Sequence, residues 1–403
     1  MCPYPPQSSG NNNAAGEDFT LNILTISHFY EAHGGGIERV AGHLCRRFAR
    51  LGAMPQWAAS AGDALPDGDI KIIALRCVDP LEKLTGLPMP LPGPAAIYAL
   101  RDAVRRSDVV VIHDALYVTS ILGMIMAKLH GKPVVLIQHI AAIPFKSLSL
   151  RLLMQLANLV VTRPMLWAAD VRIFISDTVR HDLLGTPARY PYRLLFNGVD
   201  SAIFYPPTSI EARRNPSANY HFPPCAQRIL FVGRYVEKKG LAVLRVLAAA
   251  RPECQFLLVG SGPLRPAEWG LDNVYDLGVQ APDALAELYR GADLLLLPTV
   301  GEGYPLVIQE AMACGLPVVC GAPAHRADPE AASWLRGVNI DLSDPQGSAQ
   351  RCSATIDSCR LTHREREAMI RYARERYSWQ TMAQEILRLA QNAVRAKDQN
   401  GRE

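Results

Sequence analysis

The stretch "GEGYPLVIQEAMACGLPVV", residues 301–319, predicts a helix followed by a buried strand, the repeating unit of parallel sheets. Pro305 fits the first position of this helix because it has no N–H group to leave unpaired. The amides of Leu306 and Val307 then lack partners inside the helix, and the helix dipole favours an anion beside them. The stretch therefore predicts an α/β domain with an anion-binding helix start.

Two carboxylates flank this helix start. Glu310 lies five residues after Pro305, roughly 7.5 Å farther along the axis at about 1.5 Å per residue, within reach of ribose hydroxyls. Glu302 precedes the helix and faces the other side of bound phosphates. One glutamate for each sugar, with a diphosphate between them, predicts a nucleotide-sugar site. A solvated loop acid at 302 and a solvated helix face at 310 remain the ordinary alternatives.

Short apolar runs alternate with helical patterns along the whole chain, which predicts parallel sheets covered by helices on both faces. The predicted strands are 21–27, 70–75, 108–113, 133–139 and 171–176, then 228–233, 255–260, 273–278, 293–298 and 316–320. We predict an α/β fold of two doubly wound, Rossmann-like domains. The segments are a disordered tail 1–18, a first domain 19–204, a Pro-, Ser- and Asn-rich linker 205–227, a second domain 228–377 and a final helix 378–396.

Length, charge and cysteine content exclude some classes of protein and favour others. A chain of 403 residues suits two domains, and its 49% hydrophobic content can fill both cores. The net charge of +4 and the lack of a long Lys/Arg tract argue against a dedicated nucleic-acid binder. The nine cysteines are odd in number and contain no C-x-x-C, and the first residues lack the features of a signal peptide. We therefore expect reduced thiols in a cytoplasmic protein with a small-molecule ligand.

Unusual residues follow the predicted strands, where ligands bind in open α/β sheets. They are Gly34, Gly35 and Gly36 before a helix, then His113, His139, Gly233, Arg234 with Lys239, Gly260, Gly262 and Glu302. If the sheets face each other, these groups line two walls of a cleft, with a glycine-rich helix start on one side and a basic pair on the other. Such a site suits a phosphate-bearing ligand, although the basic pair could also be surface charges.

Other phosphate and metal motifs do not fit. Arg265 stands where the third glycine of G-x-G-x-x-G would be, which disfavours a nicotinamide enzyme. The D-x-D at Asp67 to Asp69 precedes a strand rather than following one and is typical of a turn. No H-E-x-x-H is present. We therefore predict no metal site.

Five segments together resemble a known family. They are "GGGIERV" (34–40), "FNGVDSAIF" (196–204), "ILFVGRYVEKKG" (229–240), "LLVGSGP" (257–263) and "EGYPLVIQEAMACGLPVV" (302–319), the last with glutamates eight residues apart. The chain resembles, over nearly its whole length, the retaining GT-B glycosyltransferases of family 4, also called glycosyltransferases group 1. The resemblance implies two Rossmann-like domains facing a central cleft and a last helix that crosses back to the first domain.

The resemblance also implies roles for these residues. Arg234 and Lys239 would neutralise the donor diphosphate, Glu310 would bind the ribose, and Glu302 and His139 would contact the transferred sugar. The loop of Gly34 to Gly36 would approach the phosphates or the acceptor. The rest of the expected donor site comes from the same motifs: Gly233, Gly260, Gly262, Tyr304, Pro305, Leu306 and Val307.

It further implies retained anomeric configuration and no cofactor or metal beyond the nucleoside-diphosphate sugar. Two departures are Pro305, where many members have glycine, and Ile140, where a small or acidic residue usually follows the histidine. The second leaves the identity of the sugar more open.

The chemistry of the residues agrees with these roles. Cations at the diphosphate stabilise the charge that grows as it leaves, and no second carboxylate is evidently placed as a nucleophile. We therefore predict front-face attack in a hexosyltransferase that uses UDP- or GDP-hexose. The alternatives are a nucleotide-sugar epimerase of the same fold and a protein that binds a nucleotide sugar without transferring it.

Residues 115–169 contain no Asp or Glu but include Lys128, Lys132, Lys146, Arg151 and Arg163 among long apolar runs. This composition favours a helix lying on an anionic membrane, and the alternative is burial in the first domain or against a partner subunit. We therefore expect a cytoplasmic protein, peripheral on the inner face of the membrane. Its acceptor would be a lipid-linked or polysaccharide intermediate of cell-surface glycan synthesis.

Overall fold

The computed structural model describes residues 20–400, except 63, 67, 69, 80–88, 142–147, 209–222 and 224. Side chains of residues 148–151 and 400 are also outside this description. The predicted tail 1–18, most of the predicted linker, Lys146 and the two aspartates of the D-x-D therefore lie outside the described residues.

The helices and strands fall into two groups along the chain. The first group is β1 Asn22–Phe29, α1 Gly36–Arg50, β2 Met54–Ser60, β3 Lys71–Leu75, β4 Cys77–Val78, β5 Leu91–Pro92, α2 Pro94–Arg106, β6 Val109–His113, α3 Val118–Leu129, β7 Val134–Gln138, α4 Leu148–Ala157, a π-helix Asn158–Thr162, α5 Arg163–Ala168, β8 Val171–Phe174, α6 Asp177–Leu184 and β9 Arg193–Leu194. The second group is β10 Gln227–Val232, α7 Leu241–Ala250, β11 Cys254–Val259, β12 Val274–Asp276, α8 Pro282–Gly291, β13 Leu294–Leu297, α9 Leu306–Ala313, β14 Val318–Gly321, α10 Ala322–His325, β15 Leu335–Val338, α11 Pro345–Ser358, α12 His363–Arg376 and α13 Trp379–Asn400.

Each group builds one large sheet in which every pair of neighbouring strands is parallel, and β4 and β5 of the first group form a separate two-stranded antiparallel sheet. The first sheet has the order β3-β2-β1-β6-β7-β8-β9, and the second has the order β12-β11-β10-β13-β14-β15. In both sheets the chain first moves to one side and then returns to add strands on the other side. The prediction of two doubly wound α/β domains is confirmed.

Strands β2 and β15, the short edge strand β9 and the two-residue strands β4 and β5 were missed from the sequence. Strand β2, "MPQWAAS", lies between β1 and β3, so the predicted strand at 70–75 is an edge strand one place farther out. Strand β15, "LRGV", forms one edge of the second sheet. Both β2 and β15 lack a run of branched apolar residues, so their sequences alone do not predict strands. Pairing with neighbouring strands holds them extended.

The last helix belongs to the core of the first domain. Trp379, Met382 and Ile386 of α13 are buried in one cluster with Val40 and Leu44 of α1. A different cluster fills the opposite face of the first sheet, and another fills the second domain. The chain therefore crosses between the domains twice, once after β9 and once before α13.

The two crossings lie side by side. The amide of Val199 donates to the carbonyl of Tyr377 at 2.9 Å, and Val199 and Ser378 form a parallel bridge. A Cβ atom at Gly198 would lie 2.2 Å from the amide nitrogen of Trp379, so only glycine permits this approach. The two connections between the domains are consequently hydrogen-bonded to each other rather than independent.

An apolar stripe lies exposed on the first domain, within the acid-free segment. Its members are Leu152, Leu153, Leu156, Leu159 and Val160, each more than half exposed, followed by Trp167 at 68%. Their spacing of one, three and four residues places the first five on one helical face. The alternative that the acid-free segment is buried in the first domain holds for Met124 and Leu166, which lie in its core, and is wrong for this exposed face. Among the described residues, no helix is long and apolar enough to cross a membrane.

Candidate active site

The expected site residues gather where the strand order of each sheet reverses. In the second sheet the reversal lies between β10 and β13, which are followed by Arg234 and by Glu302. In the first sheet it lies between β1 and β6, which carry His28 and His113 at their carboxyl ends. Crevices at such reversals are the usual ligand sites of open α/β sheets.

Lys239 and Glu302 form an ion pair on the wall of the second domain. The ammonium nitrogen of Lys239 lies 2.6 Å from Oε1 and 2.8 Å from Oε2 of Glu302. Both side chains are largely buried, and the stem of Lys239 passes within 3.6 Å of where a Cβ on Gly233 would stand. Two residues predicted for the site, 63 positions apart, are thus in direct contact.

A third cation accompanies this pair and was missed from the sequence. Burial lowers the pKa of Lys238, the charge of Glu302 raises it, and the charges of Lys239 and Arg234 lower it. The three basic side chains therefore lie within electrostatic range of one another. Arg234 is exposed, so its guanidinium is open to solvent. The repeated lysine in "EKKG" was the available signal for Lys238.

The start of α9 differs by one residue from the prediction. Pro305 is the residue before the helix, with ψ of 130°, and Leu306 is the first helical residue. Pro305 cannot occupy the first helical position because its backbone is extended there, while its carbonyl accepts from the amide of Ile308 at 3.1 Å. The expected consequence is unchanged, since the amides of Leu306 and Val307 still lack partners within the helix.

Glu310 is anchored one turn inside the same helix. The hydroxyl of the buried Tyr289 donates to its Oε2 at 2.9 Å. Burial raises the pKa of Glu310, while the hydrogen bond from Tyr289 and the charge of Arg39 lower it. Arg39 belongs to α1, so the carboxylate expected to bind ribose lies within electrostatic range of the opposite domain.

Three residues expected to bind the donor also have packing roles: Tyr304, Gly260 and Gly262. The Tyr304 ring is buried and its hydroxyl lies 2.9 Å from that of Tyr377, so only its backbone could contact a donor. A Cβ at Gly260 would lie 1.9 Å from the carbonyl oxygen of Gly233, and one at Gly262 would lie 2.5 Å from that of Tyr235. The two glycines let the loop after β11 pack directly against the loop after β10.

His139 meets the second domain through its backbone. A Cβ at Gly303 would lie 2.3 Å from the carbonyl oxygen of His139. The imidazole is buried, with Nε2 at 3.2 Å from Nδ1 of His113. Burial lowers the pKa of His139 to about 3, with a smaller contribution from the nearby His28. The predicted site histidine is therefore neutral, and its backbone carbonyl lies against Gly303, the residue after Glu302.

The wall of the first domain holds further polar residues that sequence reasoning did not assign. Nε2 of His28 lies 2.9 Å from Oε1 of Glu38, and the His28 ring stacks on Tyr117 at 3.7 Å between ring centroids. His28 and Glu38 are both buried, as is His113, which was expected at the end of a strand. His28 lies inside a strand and Glu38 lies in the "GGGIERV" segment, so no local pattern indicates that the two meet.

Asp114 supports the turn that carries His139. Its φ of 66° is unusual for a residue other than glycine. Its carboxylate accepts from the side-chain amide of Gln138, which also donates to the carbonyl of Ile140 at 2.7 Å. Burial raises the pKa of Asp114 to about 7. Asp114 and Gln138 thus fix the backbone on both sides of His139.

Metal ligands do not cluster in the part of the chain that the structure describes. No group of three or more His, Cys, Asp or Glu side chains there could hold a metal ion.

We predict that His139 makes the protein acid-sensitive. In the unfolded chain its pKa returns to about 6.5, so between about pH 6.5 and about pH 3 only the unfolded state binds this proton. The free energy of unfolding should therefore fall as pH drops, by at most roughly 1.4 kcal/mol per unit from this one residue. His139→Gln should reduce that slope in urea unfolding between pH 7 and pH 5. The exposed control His181→Gln should leave it unchanged. An unaltered slope in His139→Gln would contradict the prediction.

Two family models match the chain. The one described as Glycosyltransferase Family 4 matches residues 34–202, and the one described as Glycosyl transferases group 1 matches residues 226–357. Between them they cover most of the chain, including the glycine loop and the segment around Glu302 and Glu310.

Curated relatives match over part of their length. A D-inositol 3-phosphate glycosyltransferase of Segniliparus rotundus is 33% identical over 220 residues, 49% of this chain and 46% of the relative. The sulfoquinovosyl transferase of Arabidopsis thaliana is 29% identical over 230 residues, 54% of this chain and 44% of the relative. The chain spans about half the length of the curated relatives it matches.

Solved structures match over nearly the whole chain. Sucrose-phosphate synthase from Thermosynechococcus elongatus has a TM-score of 0.68 at 20% identity, covering 93% of this chain and 100% of that chain. Anabaena HepE in complex with UDP and glucose has a TM-score of 0.63 at 18% identity, covering 91% of this chain and 98% of that chain. At such identities these matches show the fold alone. Together with the two family models, they show that the chain belongs to the group 1 glycosyltransferases of the GT-B fold.

Proposed function

We propose that the protein is a retaining, metal-independent glycosyltransferase that moves a hexose from a nucleoside-diphosphate sugar to an acceptor hydroxyl. The observation that carries the proposal is the Lys239–Glu302 ion pair, which lies in the same loop region as the open start of α9. A cation, a carboxylate and unpaired amides at one place suit a ligand that is anionic on one side and a neutral polyol on the other.

A nucleoside diphosphate is the anion that this wall fits. Its phosphates would accept from the amides of Leu306 and Val307 and from Arg234, while Glu310 would accept from the ribose hydroxyls. Anabaena HepE, which shares the fold, is known in complex with UDP and glucose. That complex supports UDP-hexose as the donor here, with GDP-hexose as the other candidate.

The ion pair suggests how donor binding prepares the reaction. A diphosphate oxygen would compete with Glu302 for the ammonium of Lys239. The Glu302 carboxylate would then be released to accept hydrogen bonds from hydroxyls of the transferred sugar. Because Lys239 is already held in place and largely buried, it stabilises the departing charge without reorganisation.

Transfer then follows from the charges. As the bond from the anomeric carbon to the phosphate oxygen breaks, positive charge grows on the sugar and negative charge grows on the diphosphate. The acceptor oxygen bonds to the same face of the anomeric carbon, and its proton passes to the departing phosphate oxygen. Neutral His139 can hydrogen-bond the sugar without adding a cation beside the oxocarbenium-like centre.

The acceptor side of the proposal rests on the apolar stripe of α4 and the π-helix. We propose that this stripe and Trp167 dock the protein on the inner face of an anionic membrane, where the acceptor would be lipid-linked or a polysaccharide intermediate. Arg163 is exposed beside them, and tryptophan favours the boundary between lipid and water.

An epimerase or a non-catalytic nucleotide-sugar binder would use the same donor wall. Incubation with candidate donors and a membrane lipid extract distinguishes the three. A transferase releases nucleoside diphosphate and forms a glycosylated product. An epimerase changes the nucleotide sugar itself, and a binding protein does neither.

We predict that Arg234→Ala lowers turnover at least about 100-fold, because one lost electrostatic partner of a leaving group has an effect of this scale. The measurement is nucleoside diphosphate release under saturating donor. Arg265→Ala, at an exposed arginine beyond the next strand, is the matched control and should keep wild-type turnover. Near-normal turnover of Arg234→Ala would refute the assignment.

The two glutamates should differ in what they bind. Glu310→Gln should weaken binding of free UDP or GDP, because the ribose is present in both the product and the donor. Glu302→Gln should not weaken that affinity, because it removes the carboxylate that competes with the diphosphate for Lys239, and it should weaken binding of the intact nucleotide sugar alone. Calorimetry with the diphosphate and with the intact donor measures both, and the reverse pattern would exchange the two roles.

Chelation should leave activity intact. The proposal assigns the phosphate charge to Arg234, Lys239 and the α9 start, so EDTA should not change the rate of diphosphate release. Activity abolished by EDTA and restored by Mg²⁺ would count against metal independence.

The apolar stripe should be required for membrane binding. Replacing Leu153, Leu156 and Trp167 together by Ser should release the protein from vesicles containing anionic lipid, because inserted apolar side chains supply much of the binding free energy. Salt should weaken wild-type binding by screening the basic residues. The same change at the exposed residues Leu65, Val78 and Val279 is the control.

Donor hydrolysis should survive in both variants, since the residues lie outside the nucleotide wall. If the wild type fails to sediment with anionic vesicles, or the first variant sediments equally well, the membrane proposal fails. A change of oligomeric state in that variant would instead identify the stripe as a subunit interface.

A further inference from the structure

A pocket with two arginines lies on the first domain, between α5, α6 and the turn that follows α6. Three leucines of the buried core form its floor, and two exposed arginines and a tyrosine complete its lining. The lining residues are Arg163, Leu166, Leu183, Leu184, Arg189 and Tyr190. An apolar floor below two cations suits a ligand that has both an anionic group and an apolar part.

Hydrogen bonds and ring contacts hold the walls of this arginine pocket in place. Arg172 donates to the carbonyl of Trp167 at 2.9 Å, and its guanidinium carbon lies 5.2 Å from the centre of the Tyr190 ring. The amide of Arg189 donates to the carbonyl of Leu184 at 3.2 Å. The end of α5, the Tyr190 ring and the turn after α6 are therefore tied to one another.

The charges of the two lining arginines are available to a ligand. Among the described residues, no acidic side chain pairs with Arg163 or Arg189. Each of the three acids within residues 115–195 lies beside another base instead. The pairs are Asp170 with Lys128 at 2.7 Å, Asp177 with Arg180 at 2.7 Å and Asp182 with His181 at 3.7 Å. An anion in the pocket would therefore meet two arginines that are not already neutralised.

The arginine pocket is continuous with the apolar stripe. Arg163 lies four residues after Leu159 and four residues before Trp167, in the unbroken helical run of α4, the π-helix and α5. This spacing places the three side chains on one helical face. A headgroup held by Arg163 would consequently put an attached hydrocarbon chain beside the stripe, which favours a lipid over a soluble phosphate.

The arginine pocket lies away from the donor wall. Asp177 and Thr178 at the start of α6 contact the second domain, whereas Leu183 and Leu184 lie at the other end of the same helix. Leu183 follows Asp177 by six residues, roughly 9 Å along the axis at about 1.5 Å per residue. An anion in the pocket would therefore leave the proposed nucleotide site unoccupied.

We propose that the arginine pocket binds the phosphate of a membrane lipid whose headgroup carries two negative charges, with the lipid chains against the apolar stripe. Two guanidinium groups match two charges, and each can donate two parallel hydrogen bonds to a phosphate. A phosphate monoester carries a charge of about −1.5 to −2 at pH 7, whereas the diester of an ordinary phospholipid carries a single charge. The inference rests on the proposed function, because it assigns a lipid phosphate to the membrane-docking surface defined there.

The test compares vesicles of phosphatidic acid, a phosphate monoester, with vesicles of phosphatidylglycerol, a diester, adjusted to the same surface charge. The pocket variant combines Arg163→Gln with Arg189→Gln. The matched control combines Arg101→Gln with Arg105→Gln, which removes two exposed charges from α2. Wild type and control should bind phosphatidic acid at least about fivefold more tightly than phosphatidylglycerol, the effect of roughly one basic residue at an anionic surface. The pocket variant should bind both lipids equally.

A measurement without a membrane separates the pocket from the docking surface. Short-chain phosphatidic acid, below the concentration at which it forms micelles, should bind the wild type in calorimetry. The pocket variant should bind it at least about fivefold more weakly. Glycerol 3-phosphate has the same headgroup without the chains and should bind the wild type more weakly than the lipid does. UDP and GDP should bind the pocket variant as they bind the wild type, which tests the donor wall independently.

Three results would overturn the inference. They are equal sedimentation of the wild type with both lipids, an undiminished preference for phosphatidic acid in the pocket variant, and a short-chain lipid that binds no more tightly than glycerol 3-phosphate. If no vesicle binds but the short-chain lipid depends on the two arginines, the membrane docking of the proposed function fails while the pocket stands. If neither nucleotide binds, the proposed donor wall fails, and the lipid measurements still decide the role of the pocket.

Discussion

The contact between Gly303 and the carbonyl oxygen of His139 is the constraint on which the site depends. A Cβ atom at position 303 would lie 2.3 Å from that oxygen and 3.5 Å from Val179, so any side chain there would push the domains apart. Two further hydrogen bonds from the start of α6 join the domains. The amide of Asp177 donates to the carbonyl of Ala327 at 2.7 Å, and the hydroxyl of Thr178 donates to the carbonyl of Pro323 at 2.9 Å. Because Glu302 directly precedes this glycine, the same contact fixes the position of Glu302 relative to the His139 backbone of the other domain.

A buried chain of hydroxyl groups supports the loop from behind. The hydroxyl of Tyr304 meets that of Tyr377 at 2.9 Å, and Tyr377 donates to Asp328 at 2.7 Å, as does Tyr372 at 2.8 Å. Burial raises the pKa of Asp328, whereas the two tyrosine hydrogen bonds lower it. The carbonyl of Tyr377 also accepts from the amide of Val199, where the two connections between the domains lie side by side. The loop after Glu302 and these connections therefore belong to one hydrogen-bonded network. A change in the connection between the domains would thus affect the loop after Glu302 through Tyr377 and Tyr304. Buried polar networks are costly to leave half satisfied.

The sequence sufficed for features that depend on local pattern. The apolar runs of β10 and β13 place Arg234, Lys239 and Glu302 at one edge of the second sheet, since the carboxyl ends of parallel strands always meet at one edge. The binding of a donor at this edge stays a prediction. The sequence did not suffice where partners lie far apart along the chain. Glu310 depends on Tyr289, and Tyr304 depends on Tyr377, 73 positions away. Strand β2 was missed for the same reason, because "MPQWAAS" is extended only by its pairing with β1 and β3. The pairing of His28 with Glu38 needed the fold of the glycine loop, which no spacing rule describes.

The two domains carry different charges where they meet, cations in the second domain and a neutral histidine in the first. The second domain gathers Arg234, Lys238 and Lys239 around Glu302, so its wall has the positive charge that the proposed departure of a diphosphate would require. The first domain offers a neutral imidazole. A sugar held between them would experience cations on its leaving-group side and none from His139 on the other. An oxocarbenium-like centre is stabilised by anions and dipoles rather than by cations. Under the proposed mechanism, separating the cations and the neutral imidazole onto different domains would therefore place each where the growing charge requires it.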